Sequence, residues 1–140
     1  MKRCIIFMLV LCLPLWGGFA AAQGAEKEKA ALAAAQDWLS MVDSEDYRMS
    51  WKQAAEYFRN AVTDEQWVQS LNAVRKPLGK LISRKVQSTI YRTSLPGAPD
   101  GEYVIIQFKT AFENKRSAVE TVTPMLDKDG SWRISGYFIK

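Results

Sequence analysis

The periodicity of the chain changes at Pro77-Leu78-Gly79, and that change limits the possible folds more than any other feature. Before it, apolar residues recur every three or four positions; after it, they alternate. Glu26–Val42 is rich in alanine and carries Leu32, Ala35, Trp38, Leu39 and Val42 on one stripe. Asp43-Ser44-Glu45-Asp46 interrupts that run and offers caps for a second helix bearing Tyr47, Trp51, Ala54, Ala55, Phe58 and Val62. Thr63-Asp64-Glu65-Gln66 reads as a capping box opening a third helix with Trp67, Leu71 and Val74. The second half reads as four strands, near Lys80–Leu95, Glu102–Glu113, Arg116–Asp127 and Ser131–Lys140. The expected fold is α+β: three N-terminal helices packed on one face of a four-stranded antiparallel meander.

Turn chemistry predicts a register. With Asn114-Lys115 as a two-residue turn, Glu113 faces Arg116 and Lys109 faces Glu120, two opposite-charge pairs. That choice places Val104, Ile106, Phe108, Thr110 and Phe112 on one face with Val119, Thr121, Thr123 and Met125. A type I′ turn at Asp129-Gly130 adds Trp132, Ile134, Gly136 and Phe138 to the same face. Gly136, mid-strand and opposite Thr123, leaves room for a large aromatic such as Trp51 or Trp67.

The first residues predict a destination. Met1-Lys2-Arg3 is basic, Cys4 to Trp16 is almost unbroken apolar, and Ala20-Ala21-Ala22 supplies small residues. This is the pattern of a secretory signal peptide cut after Ala22, leaving residues 23–140 as one domain in the periplasm or outside the cell. The rival reading is an uncleaved anchor, because Cys4 to Ala22 carries no charge. After cleavage no stable membrane span is expected. Both cysteines, Cys4 and Cys12, leave with the signal, and the chain has no histidine. Ser-His-Asp, Cys-His and histidine-based zinc chemistry are therefore excluded, and neither a metal nor another cofactor is expected. Removing Lys2 and Arg3 takes Lys+Arg from 19 to 17 against 15 Asp+Glu, a near-neutral chain for which export makes nucleic acid an improbable partner.

The chain also resembles a bacterial family, domain-of-unknown-function family 4019. The likeness is carried by Trp38-Leu39 with Val42-Asp43, Ser50-Trp51 with Ala54-Ala55, and Phe58-Arg59 before Val62-Thr63. It continues through Arg75-Lys76-Pro77-Leu78-Gly79, Leu95-Pro96-Gly97-Ala98-Pro99-Asp100-Gly101-Glu102-Tyr103, Glu120-Thr121-Val122 and Asp129-Gly130-Ser131-Trp132-Arg133. The resemblance implies a secreted or periplasmic bacterial protein and supplies no activity or site. The order of elements is also similar to cone-shaped NTF2-like and cystatin-like folds, which host unrelated functions.

Two constellations invite a functional reading. On the first strand, Arg84 and Ser88 share a face with Ile82, Val86 and Ile90. Either a bulge or a twisted edge strand puts them out of phase, or they point into a pocket where Arg84 holds a small anionic ligand beside Trp51 and Trp67. A buried arginine needs a carboxylate, for which Glu56 or Asp37 is the candidate. On the opposite face, Tyr103, Ile105, Val122 and Tyr137, with Leu126 and Ile139, form a surface apolar enough for an interface or homodimer. Glu120 reads as the salt-bridge partner of Lys109 rather than a general acid or base. The expectation is an exported, non-catalytic binding or interaction module acting on an envelope protein or small anionic ligand. The alternative is an enzyme or small-ligand binder whose enclosed pocket uses Arg84 and a carboxylate.

Overall fold

The structure is a computed structural model that describes residues 17–140; the proposed signal segment lies for the most part outside the described residues. Helix α1 runs from Gly17 to Asp43, beginning upstream of the expected Glu26. Alanines keep its inner stripe thin, so Ala31, Ala35, Trp38, Leu39 and Val42 all lie buried against the sheet. No helix among the described residues is long and apolar enough to cross a membrane.

The single second helix expected from the spacing is two short ones, α2 (Tyr47–Lys52) and α3 (Glu56–Ala61). The break falls at Ala54-Ala55, both fully buried. Ala55 is extended (φ −59°, ψ 147°), and its N–H donates to Ile134 O at 2.8 Å. Small side chains let the backbone come that close, and the bond to the sheet replaces a helical one. Helix α4 (Asp64–Val74) opens with the predicted capping box: Gln66 N–H donates to Thr63 Oγ1, and Thr63 N–H to Gln66 Oε1.

A 3-10 turn at Lys76–Leu78 leads through Gly79 into the sheet. Gly79 has φ 78°, and a Cβ there would sit 3.0 Å from the side chain of Glu113, so glycine is demanded twice over. Strands β1 (Leu81–Arg92), β2 (Tyr103–Phe112), β3 (Lys115–Leu126) and β4 (Trp132–Ile139) pair antiparallel in the order β1-β2-β3-β4. The helices cover one face, with Val104, Ile106, Phe108, Val122 and Ile134 in the shared core. The α+β arrangement with an antiparallel meander is as the sequence predicts.

The register differs, and the difference has consequences. Phe112 pairs with Lys115, making Glu113-Asn114 the turn, and a shift at Ala111 then sets Phe108 opposite Glu120 and Lys109 opposite Val119. The turn is tied to the preceding segment: Glu113 N–H donates to Lys80 O, Asn114 N–H to Leu78 O and Asn114 Nδ2 to Pro77 O. One residue of slip exchanges the faces of a strand. Ala118, Glu120, Val122 and Pro124 point into the core, and Val119, Thr121, Thr123 and Met125 point out.

The last hairpin also departs from the two-residue turn. Asp127 and Ser131 close a three-residue loop in which Gly130 takes φ 81°. Pro124 therefore opposes Ile134, and a bulge at Ser135 restores Thr123 opposite Gly136 and Thr121 opposite Phe138. Phe138 lies on the outer face, 55% exposed, rather than in the core. Gly136 is on that face too; a Cβ there would meet only Thr123, and neither Trp51 nor Trp67 packs on it.

Candidate functional site

Beneath the ends of α1 and α4 lies a cluster of two guanidiniums and two carboxylates. Arg84 belongs to β1, one of the two edge strands, and a shift between Val86 and Ser88 separates its phase from the rest of the strand. Arg84 consequently points inward, while Ser88 lies opposite Gln107 on the other face, its hydroxyl 3.5 Å from Gln107 Oε1. The bulge of the first reading exists, and it leaves Arg84 internal and Ser88 on the outer face.

Its partners are Asp43 and Glu120, not Glu56 or Asp37. Arg84 Nε donates to Glu120 Oε1 at 2.7 Å and Nη2 to Oε2 at 3.2 Å. Nη1 and Nη2 reach Asp43 Oδ2 and Oδ1 at 2.7 and 3.0 Å. Glu56 is instead exposed, with its backbone N–H 3.5 Å from Asp127 Oδ2, and Asp37 lies exposed along a groove with Trp38, Trp132 and Arg133. Asp43 also accepts from Arg75 Nη2 at 3.2 Å. Arg75, 3% exposed, donates to Gly79 O at 2.6 Å and stacks 4.4 Å above the Phe112 ring. Asp43 thus ends α1 as an ion-pair partner rather than a cap for α2.

Glu120 is fully buried. Besides Arg84 it accepts from Thr110 Oγ1 at 2.6 Å and from the Tyr137 hydroxyl. A carboxylate offers about four lone-pair directions, and four donors occupy them here. Burial works against charge on Arg84, but the hydrogen bonds it donates to Asp43 and Glu120 outweigh it and hold the guanidinium above its ordinary pKa. Burial, then the charge of Glu120 and the bond to it, pushes the Tyr137 phenol well above its ordinary value of 10.0. Arg84 and Glu120 are thus partnered within the cluster, whereas the buried Arg75 Nε has no hydrogen-bond partner among the described residues. Such an arrangement orders the interior around Arg84 and Glu120, while Asp43 and Arg75 also border a crevice of about 290 Å³ with Tyr47, Lys80 and Glu113.

The two tryptophans proposed beside Arg84 are elsewhere. Trp67 Nε1 donates to Ser50 Oγ at 2.9 Å, and Trp38 Nε1 to Ser50 O at 2.8 Å, so a fully buried serine holds two indoles. Trp51 is partly buried and donates to Val62 O at 2.7 Å. Trp67 stacks edge-on against Phe58, and Trp38 edge-on against Tyr137.

The expected apolar outer face is likewise redistributed. Val122 is in the core, and Tyr137 faces inward to Glu120. Tyr103 does lie on the outer face but is 1% exposed, its hydroxyl donating to Pro99 O under the Leu95–Gly101 loop. Of that set Ile105 remains a half-buried outer residue. Exposed apolar side chains lie instead on β1, at Ile82, Val86 and Ile90, and between α4 and β4. Trp67, Leu71 and Val74 of α4 and Tyr137, Phe138 and Ile139 of β4 line a crevice of about 190 Å³. Val74 and Phe138 stand 54% and 55% exposed on its rim. Sequence reasoning missed this site because it assigned both residues to the core.

The fold and this geometry define a class: a small α+β domain with an open antiparallel sheet, a largely buried ion cluster and an apolar crevice at one sheet edge. The family described as Protein of unknown function (DUF4019) matches residues 34–137, and the chain belongs to that family. No curated protein matches the chain.

Proposed function

We propose that this is an exported, non-catalytic interaction module of the bacterial envelope, which works through the α4/β4 crevice rather than through an internal pocket. The observation that supports it is the pair Val74 and Phe138, both more than half exposed beside an apolar crevice. Exposed apolar groups gathered at one concavity are costly in water and mark contact surfaces. The saturated bonding of Arg84 and Glu120 speaks against the alternative of an enzyme or anion binder built on them. The N-terminal segment supports export.

The test is position-specific photocrosslinking in the native host, with a crosslinking residue replacing Phe138, Val74 or, as control, Lys128. The reading expects a chain shortened by residues 1–22 outside the cytoplasm, with adducts from 138 and 74 and none from 128. A cytoplasmic chain, or equal adducts from all three positions, would overturn it.

A further inference from the structure

The crevice lies beside backbone groups that the sheet does not use. Val119 and Lys140 exchange both of their hydrogen bonds, N–H to O in each direction. In an antiparallel ladder bonded pairs recur every second residue, so Phe138 and Gly136 also bond to β3. Tyr137 and Ile139 then turn their N–H and C=O groups away from it. Among the described residues β4 is an outer strand of the sheet, so these groups face its open edge. Farther along β4 the edge is closed, because Ile134 O is taken by Ala55 N–H. The open stretch is thus short and coincides with the crevice-lining residues.

We infer that β4 accepts an extended segment of a partner protein as a fifth strand, with an apolar side chain seated in the crevice and acidic residues flanking it. Strand addition satisfies main-chain groups along the edge and reads alternate side chains in pockets. On the inner face, an added residue would lie against Tyr137, Ile139, Leu71 and Val74. On the outer face, its neighbour would cover Phe138.

The charge preference follows from the surroundings. No acidic residue lines the crevice. Lys140 adjoins Ile139, and Lys76 lies two residues beyond Val74. Both cations are exposed, and among the described residues neither forms an ion pair.

This inference rests on the interaction reading, and amide exchange tests it separately. The probe is a ten-residue peptide of alternating valine and threonine with two aspartates at each end. Bound peptide should slow exchange of the Tyr137 and Ile139 amides by about tenfold or more, as new hydrogen bonds at an edge do. Lysine in place of aspartate should weaken binding about tenfold, and N-methylation of the central amides should abolish it. Ile139→Pro removes an outward donor together with a crevice-lining side chain and should also abolish it, with the Gly136 and Phe138 amides still protected; should that variant not fold, Val74→Glu serves in its place. Binding indifferent to N-methylation, protection by self-association without peptide, or no binding by either peptide would overturn the inference. Crosslinking from position 138 alongside such a failure would leave the interaction reading standing with another mode of docking.

Discussion

Ser50 shows how much one side chain can organise. It accepts from the Trp67 indole, its carbonyl accepts from Trp38, and its own hydroxyl donates to Tyr47 O at 2.6 Å. Ser50→Ala would strand the Trp67 N–H in the core, costing about 1–3 kcal/mol; urea unfolding with unchanged m-value would show it, and a loss below about 0.5 kcal/mol would contradict it. Tyr137 makes a second prediction. Its folded-state pKa is raised, so its contribution is complete below pH 10 and is lost as pH rises through the folded value. Stability should therefore fall above about pH 10, more steeply in the parent than in Tyr137→Phe. Parallel curves would mean the phenol is not held against Glu120. Glu120 is also where sequence reading misled. Its strand offers two faces, Ala118-Glu120-Val122-Pro124 and Val119-Thr121-Thr123-Met125, and the charge made the first look like the wet one. Only the inward Arg84 and the Tyr137 hydroxyl reverse that choice, and both depend on bulges that alternation does not reveal.

Between elements, the ion cluster ties the end of α1 to β1 and β3 through Asp43, Arg84 and Glu120, and to the end of α4 through Arg75. Breaking a buried pair leaves the other charge stranded, so Arg84→Met should cost about 3–5 kcal/mol. Arg84→Met with Glu120→Gln should cost less than the two single changes added, by at least about 0.5 kcal/mol in a double-mutant cycle. Strict additivity would show that the pair is not coupled. The elements themselves were largely legible in the chain: the Thr63 capping box, the break after Asp43 and the four strands all follow local chemistry. The split of the second helix was not, because only the approach of Ala55 to Ile134 explains it.

For the molecule as a whole, apolar groups remain in water along β1, at Ile82, Val86 and Ile90, and most of all beside the open edge of β4, at Val74 and Phe138. Phe138→Ser should change stability by no more than about 0.5 kcal/mol, as surface changes do. Ile134→Ala, one bulge away in the core, should cost about 2–5 kcal/mol. Equal costs would return Phe138 to the interior. Native-state amide exchange along β4 of the unliganded protein tests the register on which both the burial of Glu120 and the open edge depend. Gly136, Phe138 and Lys140 should exchange slowly, and Tyr137 and Ile139 fast. The inverse alternation, with Tyr137 and Ile139 protected and Phe138 open, would contradict it.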